Sequence, residues 1–205
     1  MFQLGTVKPA RIVKRLAVVC ALLFLALALA RSGLADDAGK RVRDEAGARA
    51  AFLAVYPVFM HPRCVNCHPA GDVPLEGEDS RIHAQNVKRG PDGRGRYALK
   101  CANCHQSANV AGQNMPPGTP DWRMPPPGTP MVFEGRTPAE LARQLKDPIQ
   151  NGGKTLEDLI RHVSGDPLVL WGWDPGDGRN KPPLSHAEFA RVFREWIEKG
   201  AASPE

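Results

Sequence analysis

Two copies of a Cys-x-x-Cys-His motif, at residues 64–68 and 101–105, are the part of this chain best suited to chemistry. In each copy two closely spaced thiols can add as thioethers to the two vinyl groups of one porphyrin, and the next residue can bind its iron. The residues concerned are Cys64, Cys67, Cys101, Cys104, His68 and His105. The motifs predict two covalently attached c-type haems, with the two histidines as proximal iron ligands and electron transfer as the chemistry.

A zinc site and a pair of disulfides are the alternative interpretations of these cysteines. A zinc ribbon also uses two Cys-x-x-Cys pairs. Its spacer is usually shorter than the 33 residues found here at 68–100. Zinc also gives no reason for a histidine after both pairs. Haem explains all six residues, and we therefore favour it.

Several residues are candidates for the sixth coordination position of the two irons. His83 lies in the loop between the motifs and can reach either iron. His61 precedes the first motif and can reach only the second haem, and His162 lies at the flank of a predicted helix. Met115 begins a Met-Pro-Pro sequence that resembles the methionine loop of His–Met cytochromes, and it is the runner-up. His186 is expected to be exposed. A methionine would raise the reduction potential, and a second histidine would lower it.

Residues 1–35 have the pattern of a secretory signal peptide. Basic residues precede an unbroken apolar run of 15 residues at 16–30, and Gly33 and Ala35 offer small side chains before a cleavage site. The run is short for a membrane span, which needs roughly 20 residues. We therefore expect cleavage after Ala35, with an uncleaved membrane anchor as the alternative. Bacterial c-type haem is attached outside the cytoplasmic membrane, so both features predict a periplasmic protein.

The charge balance argues against a nucleic-acid partner. The whole chain has a formal net charge of +5, but residues 1–35 hold five basic residues and no acidic ones. Residues 36–205 therefore carry 22 basic and 22 acidic residues. There is no basic field for nucleic acid. A redox protein partner would have to dock on a local patch, and membrane contact would come only from a retained signal segment.

The segments around the motifs are mainly loops. A helix predicted from about residue 44 to 56 buries Phe52, Val55 and Tyr56 and should end or kink at Pro57. Residues 69–100 are expected to form a loop with one short turn. Residues 106–136 form a proline-rich loop in which Met-Pro-Pro-Gly-Thr-Pro is closely repeated. Loops this long usually have a function, and here we expect them to cover haem.

The C-terminal third predicts three capped helices. Capping boxes occur at 137–140, 155–158 and 185–188. The second helix should end near Gly165 and the third at Gly200. Their apolar faces comprise Leu156, Leu159, Ile160 and Val163, then Phe189, Val192, Phe193, Trp196 and Ile197. We predict one all-α, loop-rich domain over residues 36–205, which should not fold well without haem because residues 60–136 hold few aliphatic side chains.

The sequence resembles small bacterial dihaem c-type cytochromes. The helix before the first motif and the aromatic closing helix are similar to those of cytochrome c domains. His-Pro-Arg-Cys-Val-Asn-Cys-His-Pro at 61–69 and Leu-Trp-Gly-Trp at 170–173 resemble the cytochrome subunits of isoquinoline 1-oxidoreductase-type molybdenum hydroxylases. The resemblance implies a cytochrome c-like fold built around two haems. It also implies a periplasmic electron carrier between a dehydrogenase or hydroxylase and the respiratory chain.

Two other haem functions are a dihaem peroxidase and a haem-based sensor. Dihaem peroxidases are longer chains that hold their haems in separate domains, whereas these motifs begin only 37 positions apart. A sensor would need a signalling partner, because no signalling domain is attached to this chain. An electron carrier, rather than an enzyme, is the function we predict.

Overall fold

Helices and loops form most of this computed structural model, which describes residues 44–205. The helices are α1 (Glu45–Phe59), α2 (Pro62–Val65), α3 (Pro138–Lys146), α4 (Leu156–Gly165), α5 (Pro167–Trp171) and α6 (His186–Glu198). A 3₁₀ turn at Cys101–Asn103 opens the second motif. No helix within 44–205 has the length and apolar character needed to cross a membrane. The predicted signal peptide lies outside the described residues.

The first helix runs through Pro57 and ends at Phe59, three residues beyond the predicted end. Proline removes the hydrogen bond that its N–H would donate one turn back, here to the carbonyl of Leu53. Leu53 is 49% exposed, so water can reach that turn of the helix. Val58 and Phe59 beyond the proline are buried in the core. Their burial explains why the helix continues.

Two of the three predicted capping boxes are complete. The Thr137 hydroxyl accepts from the Glu140 N–H, and the Glu140 carboxylate accepts from the Thr137 N–H. Thr155 and Asp158 make the same reciprocal pair at the start of α4. Each box satisfies two backbone donors that the first turn would leave unpaired. The second box matters most for function because α4 carries His162.

The third helix start differs from the prediction in two ways. The Ser185 hydroxyl accepts from the Glu188 N–H at 3.2 Å, but the Glu188 carboxylate binds the guanidinium of Arg191. His186 is half-buried rather than exposed. Its Nε2 lies 2.9 Å from the carbonyl oxygen of Val163 at the C-terminal end of α4. The imidazole therefore ties α6 to α4.

The core is an aromatic cluster between α1 and α6. The Phe59 ring lies 5.4 Å from the Phe133 ring and 5.4 Å from the Phe189 ring. Phe52 lies 4.9 Å from Trp196. Edge-on and tilted pairs at these distances are favourable contacts between aromatic rings. The predicted inward residues of α6 are all buried, and so are Leu159, Ile160 and Val163 of α4.

Two short hairpins occupy the segment between the motifs, where a loop with one turn was predicted. Strand β1 (Leu75–Glu76) pairs with β2 (Arg81–Ile82), and β3 (Gly95–Arg96) pairs with β4 (Leu99–Lys100), both antiparallel. Gly95 has φ of +89°, and a Cβ there would lie 2.2 Å from the Leu99 carbonyl oxygen. Only glycine fits that position. Strands of two residues are too short to leave an alternating pattern in the sequence.

Candidate haem-binding cavities

Each Cys-x-x-Cys-His motif lines its own cavity. Cys64, Cys67 and His68 line a first cavity of about 260 Å³. Cys101, Cys104 and His105 line a second cavity of about 840 Å³. The walls of the first cavity come mainly from α4, α5, α6 and the proline-rich loop. Those of the second come mainly from the two hairpins and the same loop.

His68 is held in the orientation of a metal ligand. Its Nδ1 lies 2.7 Å from the carbonyl oxygen of Met131. A carbonyl only accepts, so Nδ1 carries the proton and Nε2 is left as a free lone pair. The Phe133 ring stacks on the imidazole at 3.9 Å with an angle of 8° between the planes. Burial lowers the pKa of His68 to about 3, which keeps the imidazole in the neutral form that binds metals.

His105 is held in the same way. Its Nδ1 lies 2.7 Å from the carbonyl oxygen of Pro117, so Nε2 is again the free ligand nitrogen. Trp122 stacks on the imidazole at 4.6 Å with its plane 2° from parallel. Burial lowers the pKa of His105 as well. Metal-binding histidines commonly fix their second nitrogen on a carbonyl or carboxylate in this manner.

The two copies of the Met-Pro-Pro sequence lie beside the two motif histidines, although they contribute from different positions. The first copy supplies Pro117 to His105, and the residue directly after the second copy, Met131, serves His68. Trp122 and Phe133 follow the two copies and stack on the same imidazoles. Sequence reasoning missed both aromatic residues. An aromatic side chain a few residues after each copy was the available signal.

His83 meets His105 in the second cavity. The centres of the two rings are 6.2 Å apart. With about 2 Å for each metal–nitrogen bond and about 1 Å from nitrogen to ring centre, two imidazoles on one metal are about 6 Å apart. The Nδ1 of His83 is buried, has no hydrogen-bond partner in the described part of the chain and lies 3.8 Å from a Glu76 carboxylate oxygen. The spacing of the pair is compatible with two imidazoles that share one metal ion.

His162 lines the first cavity together with His68. It projects from α4, and its Nδ1 lies 3.1 Å from an Asp166 carboxylate oxygen. A carboxylate accepts the Nδ1 proton and leaves Nε2 as the free nitrogen, as it does in many metal sites. Each cavity is therefore lined by one motif histidine and one further histidine.

The structure brings neither His61 nor Met115 to the two cavities. His61 caps α2, where its Nδ1 accepts from the Arg63 N–H at 3.3 Å. Met115 is 41% exposed. Of the other methionines, Met131 offers its carbonyl to the motif histidine, and Met124 is buried where the two cavities meet.

All four cysteines of the motifs are free thiols, available for thioether bonds or for a metal. Burial raises the pKa of Cys64 to about 12 and that of Cys67 to about 11, and it raises the pKa of Cys101. A bound zinc ion would deprotonate such thiols itself, so their protonation does not separate the two chemistries. Across residues 44–205, no three His, Cys, Asp or Glu side chains converge to hold a metal ion.

The two cavities share a wall. Six residues line both of them, and we call them the shared wall: Arg63, Cys67, Trp122, Arg123, Met124 and Trp171. The rings of Trp122 and Trp171 are 4.8 Å apart and nearly perpendicular. The indole N–H of Trp171 donates to the Asn109 side chain at 2.9 Å. Trp171 therefore lies between the two cavities.

No protein-family model, curated protein or solved structure matches this chain. The functional argument therefore depends on the geometry of the two cavities and on the motifs.

Proposed function

We propose that this chain is a dihaem c-type cytochrome that carries electrons. The observation that carries the proposal is the pair of imidazoles in the second cavity, His83 and His105, whose ring centres lie 6.2 Å apart beside a Cys-x-x-Cys pair. Two thiols, an oriented histidine and a second histidine at metal-sharing distance form the complete ligand set of one covalently bound haem.

The first cavity supports the same assignment with different surroundings. Cys64 and Cys67 would form the thioethers, and His68 and His162, which both line this cavity, would hold the iron. The carbonyl of Met131 and the carboxylate of Asp166 orient the two imidazoles by accepting their Nδ1 protons. In the second cavity Cys101 and Cys104 would form the thioethers. Bound haem supplies reversible one-electron exchange at its iron.

Histidine on both sides of the iron favours a carrier over an enzyme. A peroxidase or a gas sensor needs a coordination position that an outside molecule can take. His83 and His162 would fill that position in each cavity. A second histidine, rather than a methionine, also predicts low reduction potentials. These residues therefore support electron storage and transfer without substrate chemistry.

The shared wall supports electron exchange between the two sites. Trp122 stacks on His105 and lines the first cavity as well as the second. Cys67 of the first motif also lines both cavities. The two redox centres would therefore be separated by single side chains. We propose that they act as one two-electron unit.

The compartment and the partner follow from the sequence. The predicted signal peptide and the need for haem attachment outside the cytoplasm favour the periplasm. The resemblance to cytochrome subunits favours a molybdenum hydroxylase or a dehydrogenase as electron donor, with the respiratory chain as acceptor. The haem sites themselves do not depend on this choice of partner.

Optical and paramagnetic-resonance spectra of the holoprotein test the proposal. They should be recorded in the oxidised and reduced states, with and without carbon monoxide. We expect two low-spin haems that reduce reversibly and do not bind carbon monoxide. A high-spin haem that binds carbon monoxide would contradict the carrier function and favour a peroxidase or sensor.

A further inference from the structure

Arg63 is a buried cation on the shared wall. The residue directly precedes Cys64 and is only 6% exposed. Its Nη2 donates to a carboxylate oxygen of Glu78 at 2.6 Å. Its guanidinium carbon lies 6.0 Å from the centre of the Trp171 ring. Burial lowers the pKa of Arg63, yet arginine stays charged in proteins. A full positive charge therefore lies between the two cavities.

The Nε–H of Arg63 has no hydrogen-bond partner among residues 44–205, although the nitrogen is buried. A buried charged donor without an acceptor is costly, and native structures avoid it. Glu78 does not compensate fully, since it binds the other end of the guanidinium and is 39% exposed.

Arg89 provides an internal comparison, because it is equally buried at 2% exposure. Its Nη1 donates to the Pro125 carbonyl and its Nη2 to the Gly71 carbonyl, each at 2.8 Å. Its Nε lies 3.9 Å from an Asp72 carboxylate oxygen. Arg89 therefore joins two loops through hydrogen bonds from both of its Nη atoms, and a carboxylate faces its Nε. Arg63 donates only from Nη2, to Glu78 and to the Gly77 carbonyl at 3.4 Å, and within the described residues its Nε faces no carboxylate.

We propose that Arg63 binds a carboxylate at the shared wall through its Nε–H. The inference depends on the proposed function, because the expected carboxylate is a propionate of a porphyrin in one of the cavities. A small free anion is the other source with the same chemistry. Guanidinium forks match carboxylates in geometry and charge. Because Arg63 lines both cavities, its charge stabilises the reduced form of both irons and raises both reduction potentials.

Redox titration of the Arg63→Gln holoprotein tests the inference. Both midpoint potentials should fall, because the cation that favours the reduced irons is lost. Arg63→Lys should lower both potentials less, since lysine keeps the positive charge but lacks the paired N–H donors of the guanidinium. Arg81→Gln is the matched control: Arg81 lines the second cavity but is 62% exposed in its side chain, so water screens its charge. A fall for Arg81→Gln equal to that for Arg63→Gln would contradict the inference.

Glu78→Gln is a second test that does not require removal of the buried arginine. Glu78 is partly exposed, so the variant should fold even if Arg63→Gln does not. Loss of its negative charge leaves Arg63 less neutralised, and both potentials should rise. Potentials that stay unchanged or fall in Glu78→Gln would overturn the inference.

Titration of the wild-type protein with inorganic phosphate at constant ionic strength shows whether a propionate or a free anion binds Arg63. If a porphyrin propionate binds Arg63, the reduction potentials do not depend on phosphate. If a free anion binds, the potentials fall with phosphate in the wild type and not in Arg63→Gln.

The proposed function and the inference fail separately. A chain without covalent haem contradicts the first, and a dihaem chain whose Arg63→Gln potentials match the wild type contradicts only the second.

Discussion

The two candidate haem sites use the same motif in very different surroundings. The first cavity rests on the helical region, formed by α1, α3, α4 and α6, and its floor includes buried Phe59 and Phe193. The second cavity lies in the loop region, residues 69–123, where the regular elements are two short hairpins and a 3₁₀ turn. Ile82, Tyr97 and Leu99 in this region are exposed by 66%, 89% and 52%. The loop region therefore has little core of its own.

The backbone of the loop region is also less relaxed. Most of the non-glycine residues with positive φ lie there, namely Ser80, Asn86, Tyr97, Asn114 and Asp121. Asn and Asp adopt this conformation readily, but it is unfavourable for a bulky residue such as Tyr97. On the proposed function, a haem in the second cavity would supply contacts to this segment, whereas the first cavity has an aromatic core beneath it.

The double substitution Cys101→Ser/Cys104→Ser should have the largest effect. The chain should retain one haem, and the amides of residues 69–123 should exchange rapidly because the loop region loses its main contacts. Helices α1 and α6 should stay protected. Hydrogen exchange measured by mass spectrometry checks this result.

Cys64→Ser/Cys67→Ser is the matched variant at the first site. It should also retain one haem, but the aromatic core should keep the helical region protected. Equal loss of protection in both regions for either variant would contradict the difference between the two sites.

Removal of the non-motif histidine from one cavity should free a coordination position on the iron of that cavity alone. His83→Ala should convert only the second haem to the high-spin state, and His162→Ala only the first. Each variant should bind one equivalent of carbon monoxide, because one position becomes free. Paramagnetic resonance and carbon monoxide titration measure both quantities. His61→Ala is the control and should remain fully low-spin; a high-spin signal from it would show that the pairs are assigned wrongly.

A cavity in the helical core should lower the free energy of unfolding more than a polar substitution in the loop region does. Phe59 is 4% exposed and packs against four other phenylalanine rings. Phe59→Ala should lower the free energy of unfolding by about 3–5 kcal/mol. Leu99→Ser, at a half-exposed position, should change it by about 0.5 kcal/mol or less. Denaturant unfolding followed by circular dichroism compares the two, and similar losses would argue against the helical core as the main source of stability.

Acid should weaken both candidate sites. An imidazole whose pKa is lowered on folding contributes stability that is complete above its ordinary pKa near 6.5 and is lost as pH falls toward the lowered value. Burial lowers the pKa of His68 to about 3, and it also lowers the pKa of His105. Acid titration of the two single-haem variants should therefore show the low-spin signal of each site falling as the pH drops below about 6.5, and a signal that instead falls as the pH rises would contradict this account.

Local signals in the sequence predicted the four longer helices but not the short α2 and α5. The caps of α3 and α4 and the inward faces of α4 and α6 depend on residues within one or two turns, so the order of residues alone reveals them. A helix end at Pro57 is wrong, because burial beyond the proline outweighs the lost hydrogen bond. The hairpins were missed because strands of two residues leave no alternating pattern.

The candidate sites were only partly visible in the sequence. The motifs name the cysteines and their histidines directly. The partners of those histidines depend on how a loop and a distant helix return to the motifs, so His83, His162, His61 and Met115 could not be separated. The sequence also could not reveal the unpaired Nε of Arg63, because this feature results from burial between two cavities rather than from a local pattern.

Mass and spectra of the exported holoprotein test the central claim most directly. We predict a chain that carries two covalently bound haems, both low-spin in the oxidised state, without the far-red band of methionine–iron ligation. That result would support haem in both cavities and a histidine pair at each iron. A chain without haem, with zinc or disulfides at the cysteines, would contradict the account.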